Sequence, residues 1–468
     1  MRPATIAATL ALAATLAPAP RTCRALEIGA DISWLPRAED DGAVYYTGGE
    51  ERDVMELLVE NDLTLVRLRL WHDPSEHWHG LDSTLATAER AAEAGCSIML
   101  DLHYSDTWAD PGHQAKPAAW EGIPFEALVD SVYAYTNGVV RRFRDRGIPL
   151  AYVQVGNEIS PGMLWDDGRV GGSWDTPQQW SQLCDLLDAG VSGVRDSLPP
   201  AERPEIVIHV DNGASNDLCR WFFDNLVTGG VDYDVIGLSY YPWWHGALSD
   251  LEYNIIDITV RYGKPVMVVE AAYPWTLGWC DDTHNPVGLP EHLVDGYPAT
   301  PEGQASYLAD LLEMVDEIPG GAGVVYWEPA YVCVDDGPGT PWENLAFFDF
   351  DGNALPALGF AKMHDTAVGP CDEHGDLPLL LPAEPNPFTA ETTLTCVLPE
   401  DGAPVALNIY DASGRLVREL RGAAPGQGVA RTTWDGRDAS GRAVAAGVYL
   451  CEAVAGGRRE TTKVVRVR

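Results

Sequence analysis

The sequence predicts an α/β protein, a (β/α)8 TIM barrel followed by a small all-β sandwich, from three observations. From Glu27 to about residue 365, short β-rich runs alternate with longer helical stretches. Those runs are nearly continuously apolar, as strands buried on both faces are. Beyond Glu384 the pattern changes to short alternating strands separated by turn signals, such as LNIYDASGRLVREL and TTKVVRVR, which is the signature of a small sandwich.

The elements follow in order. Residues 1–25 are expected to be a signal peptide: Arg2 gives the positive start, and Ala4 to Ala17 form an apolar stretch of small residues too short to cross a bilayer. Cleavage is expected between Ala17 and Ala25. Cys23 follows Arg-Thr, which does not suit a lipid anchor. The barrel is assigned to 26–368. Its strands are EIGADISWL, LTLVRLRLW, SIMLDLHYSD, AYVQVGNE, IVIHVDNG, YDVIGLSYYP, PVMVVEAAYP and GAGVVYWEPA. The intervals between them are long enough for right-handed helical crossovers, and eight such units fit a closed barrel better than an open sheet. The Pro-rich, acidic stretch at 369–383 reads as a linker, and 384–468 as the sandwich.

Net charge is −39, from 31 basic and 70 acidic residues. That repels phosphate backbones and anionic lipid, so nucleic acid and membrane are excluded as partners and a neutral substrate is favoured. No later stretch reads as a membrane span, and the chain is expected to be a monomer. Acidic and basic residues are balanced after 384, so the excess lies in the barrel. Export permits disulfides among the nine cysteines. Cys280 and Cys333 fall in the loops after two neighbouring strands, where a crosslink would brace one face. Cys396 and Cys451 fit either a staple of the sandwich or two buried thiols; Cys96, Cys184 and Cys219 read as buried small residues.

Polar and aromatic residues recur at the ends of the runs: Asp31, Arg67, Arg69, His103, Asn157, Glu158, Asp211, Asn212, Tyr240, Glu270 and Trp327. In a barrel of this kind the C-terminal strand ends meet on one face and build the site. Glu158 and Glu270 end the fourth and seventh runs, and both reach a shared cavity in such a barrel. A pair of carboxyl groups is what glycoside hydrolysis requires, one to protonate the leaving oxygen and one to attack the anomeric carbon.

The run VQVGNE with VMVVEAAYPWT resembles the large clan of retaining glycosidases whose catalytic glutamates sit on the fourth and seventh strands. The segments GADISWL, VRLRLWHDP, LDLHYSDTWADPGHQAKPAAW, VGNEISPGMLWDDG, DVIGLSYYPWWHG and EAAYPWTL narrow the likeness. Over residues 27 to 365 the chain resembles the arabinogalactan endo-β-1,4-galactanases of glycoside hydrolase family 53. The resemblance implies secreted endo-cleavage of galactan or arabinogalactan with Glu158 as proton donor and Glu270 as nucleophile. Asn157 would hold a sugar hydroxyl, and Arg67 or Arg69 with Tyr240 would orient the nucleophile. The alternatives are another retaining endo-glycosidase of the clan, a mannanase or glucanase, and a catalytically silent glycan-binding surface protein.

Sixteen tryptophans are a heavy load, and flat aromatics stack on the C–H faces of sugars. Trp108, Trp165, Trp243, Trp244, Trp275 and Trp327 fall on or after strand ends and suggest a row of subsites. The loop GWCDDTHNPVG offers Asp281, Asp282, His284 and Asn285. Some family members hold calcium in this region, but here a hydrogen-bonded turn is the first reading and calcium the alternative. No cofactor is required. The tail, through PNPF, IYDASGRLVREL and TTWDGRDASGRAVAAGVY, resembles the FlgD-like immunoglobulin-type domains of exported proteins. That resemblance implies a sorting or surface-attachment module; a passive stabilising domain and a carbohydrate-binding module are the competing readings. Trp434, in a WDG turn, reads as structural.

Overall fold

The computed structural model describes residues 26–467 apart from 319, 335–338, 364–382, 384–385, 398–405, 412, 422–428 and 456–457. The signal-peptide and Cys23 expectations lie outside the described residues, as does all of the expected linker except Ala383.

Eight parallel strands close a barrel: β1 Glu27–Asp31, β2 Leu65–Leu70, β3 Ser97–Leu102, β4 Leu150–Val155, β5 Glu205–Val210, β6 Val235–Tyr240, β7 Val266–Ala271 and β8 Gly321–Trp327. Each pairs with its neighbours in sequence, and β1 closes the ring against β8. All eight coincide with the apolar runs of the sequence, β4 and β5 beginning one residue earlier, at Leu150 and Glu205. Strands β2, β6 and β7 are buried along their whole length, because helices cover one face and opposite strands the other.

Side chains alternate across a strand, and this sorts the barrel interior into layers. Leu65, Met99, Tyr152, Val207, Val235, Met267 and Val325 form an apolar plug. Two residues further along, the inward positions hold Arg67, Asp101, Gln154 and His209, all buried. The floor of the site is therefore polar and rests on a packed apolar layer.

Outside, amphipathic helices seal the sheet. Helix Phe125–Asp145 buries Leu128, Val132, Thr136, Val139, Val140 and Phe143, the spacing of one helical stripe. It packs on helix Pro177–Ser197, where Gly193 permits close approach. A Cβ at Gly193 would stand 2.8 Å from Thr136 Cβ, so any larger residue there would push the helices apart. Thr176 caps this second helix by accepting Gln179 N–H, with Pro177 in its first turn. Among the described residues no helix is long and apolar enough to cross a membrane.

Four non-glycine residues just past strand ends have positive φ: Tyr104 at 50°, Glu158 at 47°, Asn212 at 27° and Glu328 at 54°. Such backbone costs about 1–3 kcal/mol per residue and persists only where its surroundings impose it. The loops after β7 and β8 are joined by a Cys280–Cys333 disulfide with Cα atoms 6.5 Å apart, as the barrel reading led us to expect. Cys96, Cys184 and Cys219 are free and buried, and so are Cys396 and Cys451, which form no staple.

In the tail, β9 Thr392–Val397 pairs with β12 Val429–Trp434, while β10 Ala406–Asp411, β11 Leu416–Arg421, β13 Gly447–Ala455 and β14 Arg458–Arg466 form a four-stranded antiparallel sheet. Leu394, Cys396 and Trp434 from one sheet and Leu407, Ile409, Tyr449 and Cys451 from the other share one core. Trp434 is fully buried and donates its indole N–H to Arg437 O at 3.0 Å, a structural role.

Candidate active site

A cavity of about 420 Å³ opens over the C-terminal strand ends, lined by Arg67, Arg69, His103, Trp108, Asn157, Glu158, Trp244, Glu270 and Trp327 among others. Of the strand-end residues expected from the sequence, Arg67, Arg69, His103, Asn157, Glu158, Asp211, Glu270 and Trp327 therefore meet there, with Trp108 and Trp244 beside them. Asp31, Asn212 and Tyr240 do not.

Strand geometry brings the two glutamates together. After β4 the chain turns through Gly156 at φ 83° and Glu158 at φ 47°, which carries the Glu158 side chain over the barrel mouth. On β7, Leu238 pairs with Val268 but Ser239 pairs with Glu270, so the register slips by one residue. This bulge lets Val269 remain in the apolar plug while Glu270 reaches the cavity.

The charges around the two carboxyls differ. Arg67, fully buried, lies 2.9 Å from Glu270 Oε1, and the Tyr241 hydroxyl donates to Glu270 Oε2 at 2.8 Å. Among the described residues no cation pairs with Glu158. Its Oε1 accepts from the Ser239 hydroxyl at 2.7 Å, and the charges of Glu270, Asp211 and Asp110 bear on it. Burial pushes both carboxyls above the ordinary range; repulsion by Glu270 lifts Glu158 further, whereas Arg67 and Tyr241 draw Glu270 back. The surroundings of Glu158 therefore favour its proton, and those of Glu270 favour its charge.

Beneath them Arg67 serves several acceptors at once: Asp31 at 2.8 Å, Asp101 at 3.0 Å, Asn157 Oδ1 at 2.8 Å and Gln154 Oε1 at 3.2 Å. Asp31 is therefore a buried anchor for Arg67 and not a residue of the cavity wall. Arg69 does not reach Glu270. It bonds Glu328 at 2.6 Å and lies under Trp108, 4.3 Å from the ring centre. Of the two arginines expected to orient Glu270, the structure selects Arg67. His103 accepts Trp71 Nε1–H at 3.2 Å and Ala109 N–H at 3.1 Å on Nδ1, so its proton sits on Nε2 and is donated to Asp101 at 2.9 Å. Asn157 turns its Nδ2 to Ala109 O at 2.8 Å.

Tyr240 requires a correction. It is fully buried and its hydroxyl donates to Gly246 O at 2.8 Å, away from the cavity. The residue on Glu270 is Tyr241, because the inward positions of β6 run Gly237, Ser239 and continue to Tyr241 just past the strand's end. Of the expected tryptophans, Trp108, Trp244 and Trp327 line the cavity, joined by Trp342. Trp327 and Trp342 meet edge to face at 4.5 Å, and Trp244 is 57% exposed at the rim. Trp165 instead carries the Arg169 guanidinium at 4.0 Å, Trp275 packs on Phe350 at 4.7 Å, and Trp243 packs on Trp342 at 6.2 Å.

The calcium alternative does not fit the side chains as placed. Asp282 and His284 are exposed, whereas Asn285 is buried and donates to Glu343 at 2.9 Å. Among the described residues, the one group with metal-ligand proximity is Cys280, Cys333 and Glu343, and both sulfurs are bonded to each other. Asp281 instead closes a turn, accepting Thr283 N–H at 2.6 Å and Thr340 N–H at 2.8 Å, which ties the two loops together.

Residues 27–361 match the family model for glycosyl hydrolase family 53. The chain belongs to that family. Residues 386–458 match the FlgD Ig-like domain. An arabinogalactan endo-β-1,4-galactanase of Cellvibrio japonicus is 39% identical over 347 residues, 72% of this chain and 90% of that one. A protein from the bgaB 5′ region of Niallia circulans is 43% identical over 343 residues, 72% and 93% of the two chains. Among solved structures, the family 53 catalytic domain of Ignisphaera aggregans superposes with TM-score 0.67 at 35% identity, covering 72% of this chain and 95% of that one. A fungal β-1,4-galactanase gives 0.64 at 30%, covering 73% and 99%. As a family 53 protein the chain is a glycoside hydrolase.

Sequence reasoning missed several residues of this family 53 site. Asp101, Gln154, His209 and Ser239 sit inside runs read only as apolar, and a count of every second residue from the plug would have found them. Glu328 and Trp342 follow β8, where no periodic signal points inward.

Proposed function

We propose that this family 53 hydrolase is a secreted endo-β-1,4-galactanase that cleaves internal bonds of galactan or arabinogalactan with retention. The observation that carries the chemistry is the asymmetry of the carboxyl pair: Arg67 and Tyr241 contact Glu270 and favour its charge, whereas the acidic groups around Glu158 favour its proton. The names of its relatives support the substrate.

In the first step the Glu270 carboxylate attacks the anomeric carbon while Glu158 passes its proton to the departing glycosidic oxygen. The C–O bond breaks, a glycosyl ester forms on Glu270, and Glu158 is left as carboxylate. In the second step Glu158 takes a proton from water, the hydroxide equivalent attacks the same carbon, and Glu270 leaves. Two inversions give net retention. No cofactor enters this balance. Arg67 and Tyr241 lose contact strength as Glu270 becomes an ester, so they hold the reactant carboxylate without trapping the intermediate.

The rim of Trp108, Trp244, Trp327 and Trp342 offers apolar faces to successive sugar rings and supports endo-acting cleavage. The run from Arg2 to Ala17 supports export, and the FlgD-like tail supports sorting to, or attachment at, the cell surface, with the enzyme acting as a monomer. A polysaccharide panel tests the substrate. β-1,4-Galactan should yield galacto-oligosaccharides, with mannan and β-glucan left intact; release from either of those instead would make the chain a mannanase or glucanase.

A further inference from the structure

The acid carboxyl stands at one end of a buried hydrogen-bonded chain. The Ser239 hydroxyl donates to Glu158 Oε1 at 2.7 Å, and Ser239 Oγ is in turn 2.9 Å from His209 Nε2. Both Ser239 and His209 are fully buried. On its other side the ring is held by three groups around Nδ1: Asn157 Oδ1 at 2.9 Å, Gln154 Nε2 at 3.1 Å and Glu158 N–H at 3.3 Å. Burial and the Arg67 charge hold His209 well below its usual range, so the ring is neutral.

His209 fixes Ser239 Oγ in place, and the Ser239 hydroxyl donates to Glu158 Oε1. We infer that Ser239, oriented by His209, is a positioning residue that holds the acidic proton of Glu158 on Oε2, facing the glycosidic oxygen. An oxygen that already accepts a hydrogen bond is the poorer place for the proton. The same bond strengthens once Glu158 has given up its proton, because the acceptor is then charged. Ser239 thereby favours proton transfer to the leaving group and stabilises the carboxylate that later acts as base. The backbone N–H and the side chain of Glu158 both bond into this chain, so one imidazole fixes the residue at two points.

The inference rests on Glu158 being the general acid, and the test separates the two. Ser239→Ala removes the donor. Turnover of galactan, whose sugar leaving group needs a proton, should fall about tenfold to hundredfold. A dinitrophenyl galactobioside, whose leaving group needs none, should be consumed within about twofold of wild type in its first step. The basic limb of kcat/KM on galactan should move up by about one pH unit, because the bond that stabilises the Glu158 carboxylate is gone. Ser239→Thr, which keeps the hydroxyl, should return the limb toward the wild-type position. If Ser239→Ala does not fold, Ser239→Cys keeps the volume, donates weakly and gives the same reading.

Equal losses on both substrates, or an unmoved basic limb in Ser239→Ala, would overturn the inference and leave Glu158 untouched. Glu158→Gln in the same assay is the control. If it loses galactan turnover and keeps the aryl substrate, the acid assignment stands; if galactan turnover survives in it, that assignment fails and the inference falls with it.

Discussion

Arg67 lies 2.9 Å from Glu270 and also bridges Asp31 at 2.8 Å and Asp101 at 3.0 Å, all of them buried. One guanidinium thus pairs with three carboxylates in the floor of the barrel mouth and favours the charged form of Glu270. Removing one partner of a buried ionic cluster leaves the others uncompensated. Arg67→Met should cost about 3–5 kcal/mol of stability, read as a lower denaturant midpoint, and abolish turnover. A midpoint within error of wild type would show that Asp31 and Asp101 do not depend on Arg67.

Tyr241→Phe removes one donor from Glu270. A hydrogen bond to the charged form lowers a carboxyl pKa, so its loss raises the Glu270 pKa and moves the acid limb of kcat/KM to higher pH. We expect about a tenfold drop in kcat. Tyr240→Phe, which loses bonds to Gly246 O and Tyr307 and none to Glu270, should leave that limb in place. The reverse pattern in the two pH profiles would mean that Tyr240 and Tyr241 have been exchanged.

The barrel was legible because strands buried on both faces leave apolar runs that composition reveals, and all eight runs became barrel strands. The glutamates were legible because strand ends on one face converge. What escaped the sequence depended on register. Tyr240 and Tyr241 are adjacent, and only the alternation Val235, Gly237, Ser239 on β6, with its slip against β7, decides which one faces inward. His209 and Gln154 look like interruptions in apolar runs until the plug beneath them is seen. Trp342 reaches the cavity through a loop whose path no periodicity encodes.

The Cys280–Cys333 bond closes 53 residues of chain and joins the loop after Glu270 to the loop after Trp327. A loop of that size contributes about 2–4 kcal/mol, chiefly by restricting the unfolded chain. A Cys280→Ser, Cys333→Ser double variant should melt several degrees lower and show a raised KM with kcat little changed. Calorimetry with and without reductant on the native protein should give the same decrease. No change in melting temperature in either experiment would show that Asp281 and the loop hydrogen bonds suffice.

The central claim is that Glu270 attacks the sugar while Glu158 delivers the proton, and product stereochemistry tests it most directly. Proton NMR of galactan hydrolysis should show the β-anomer of the new reducing end first, with the α-anomer growing later by mutarotation, since two displacements retain configuration. Initial appearance of the α-anomer would mean that water attacks the glycoside directly, and would contradict the account.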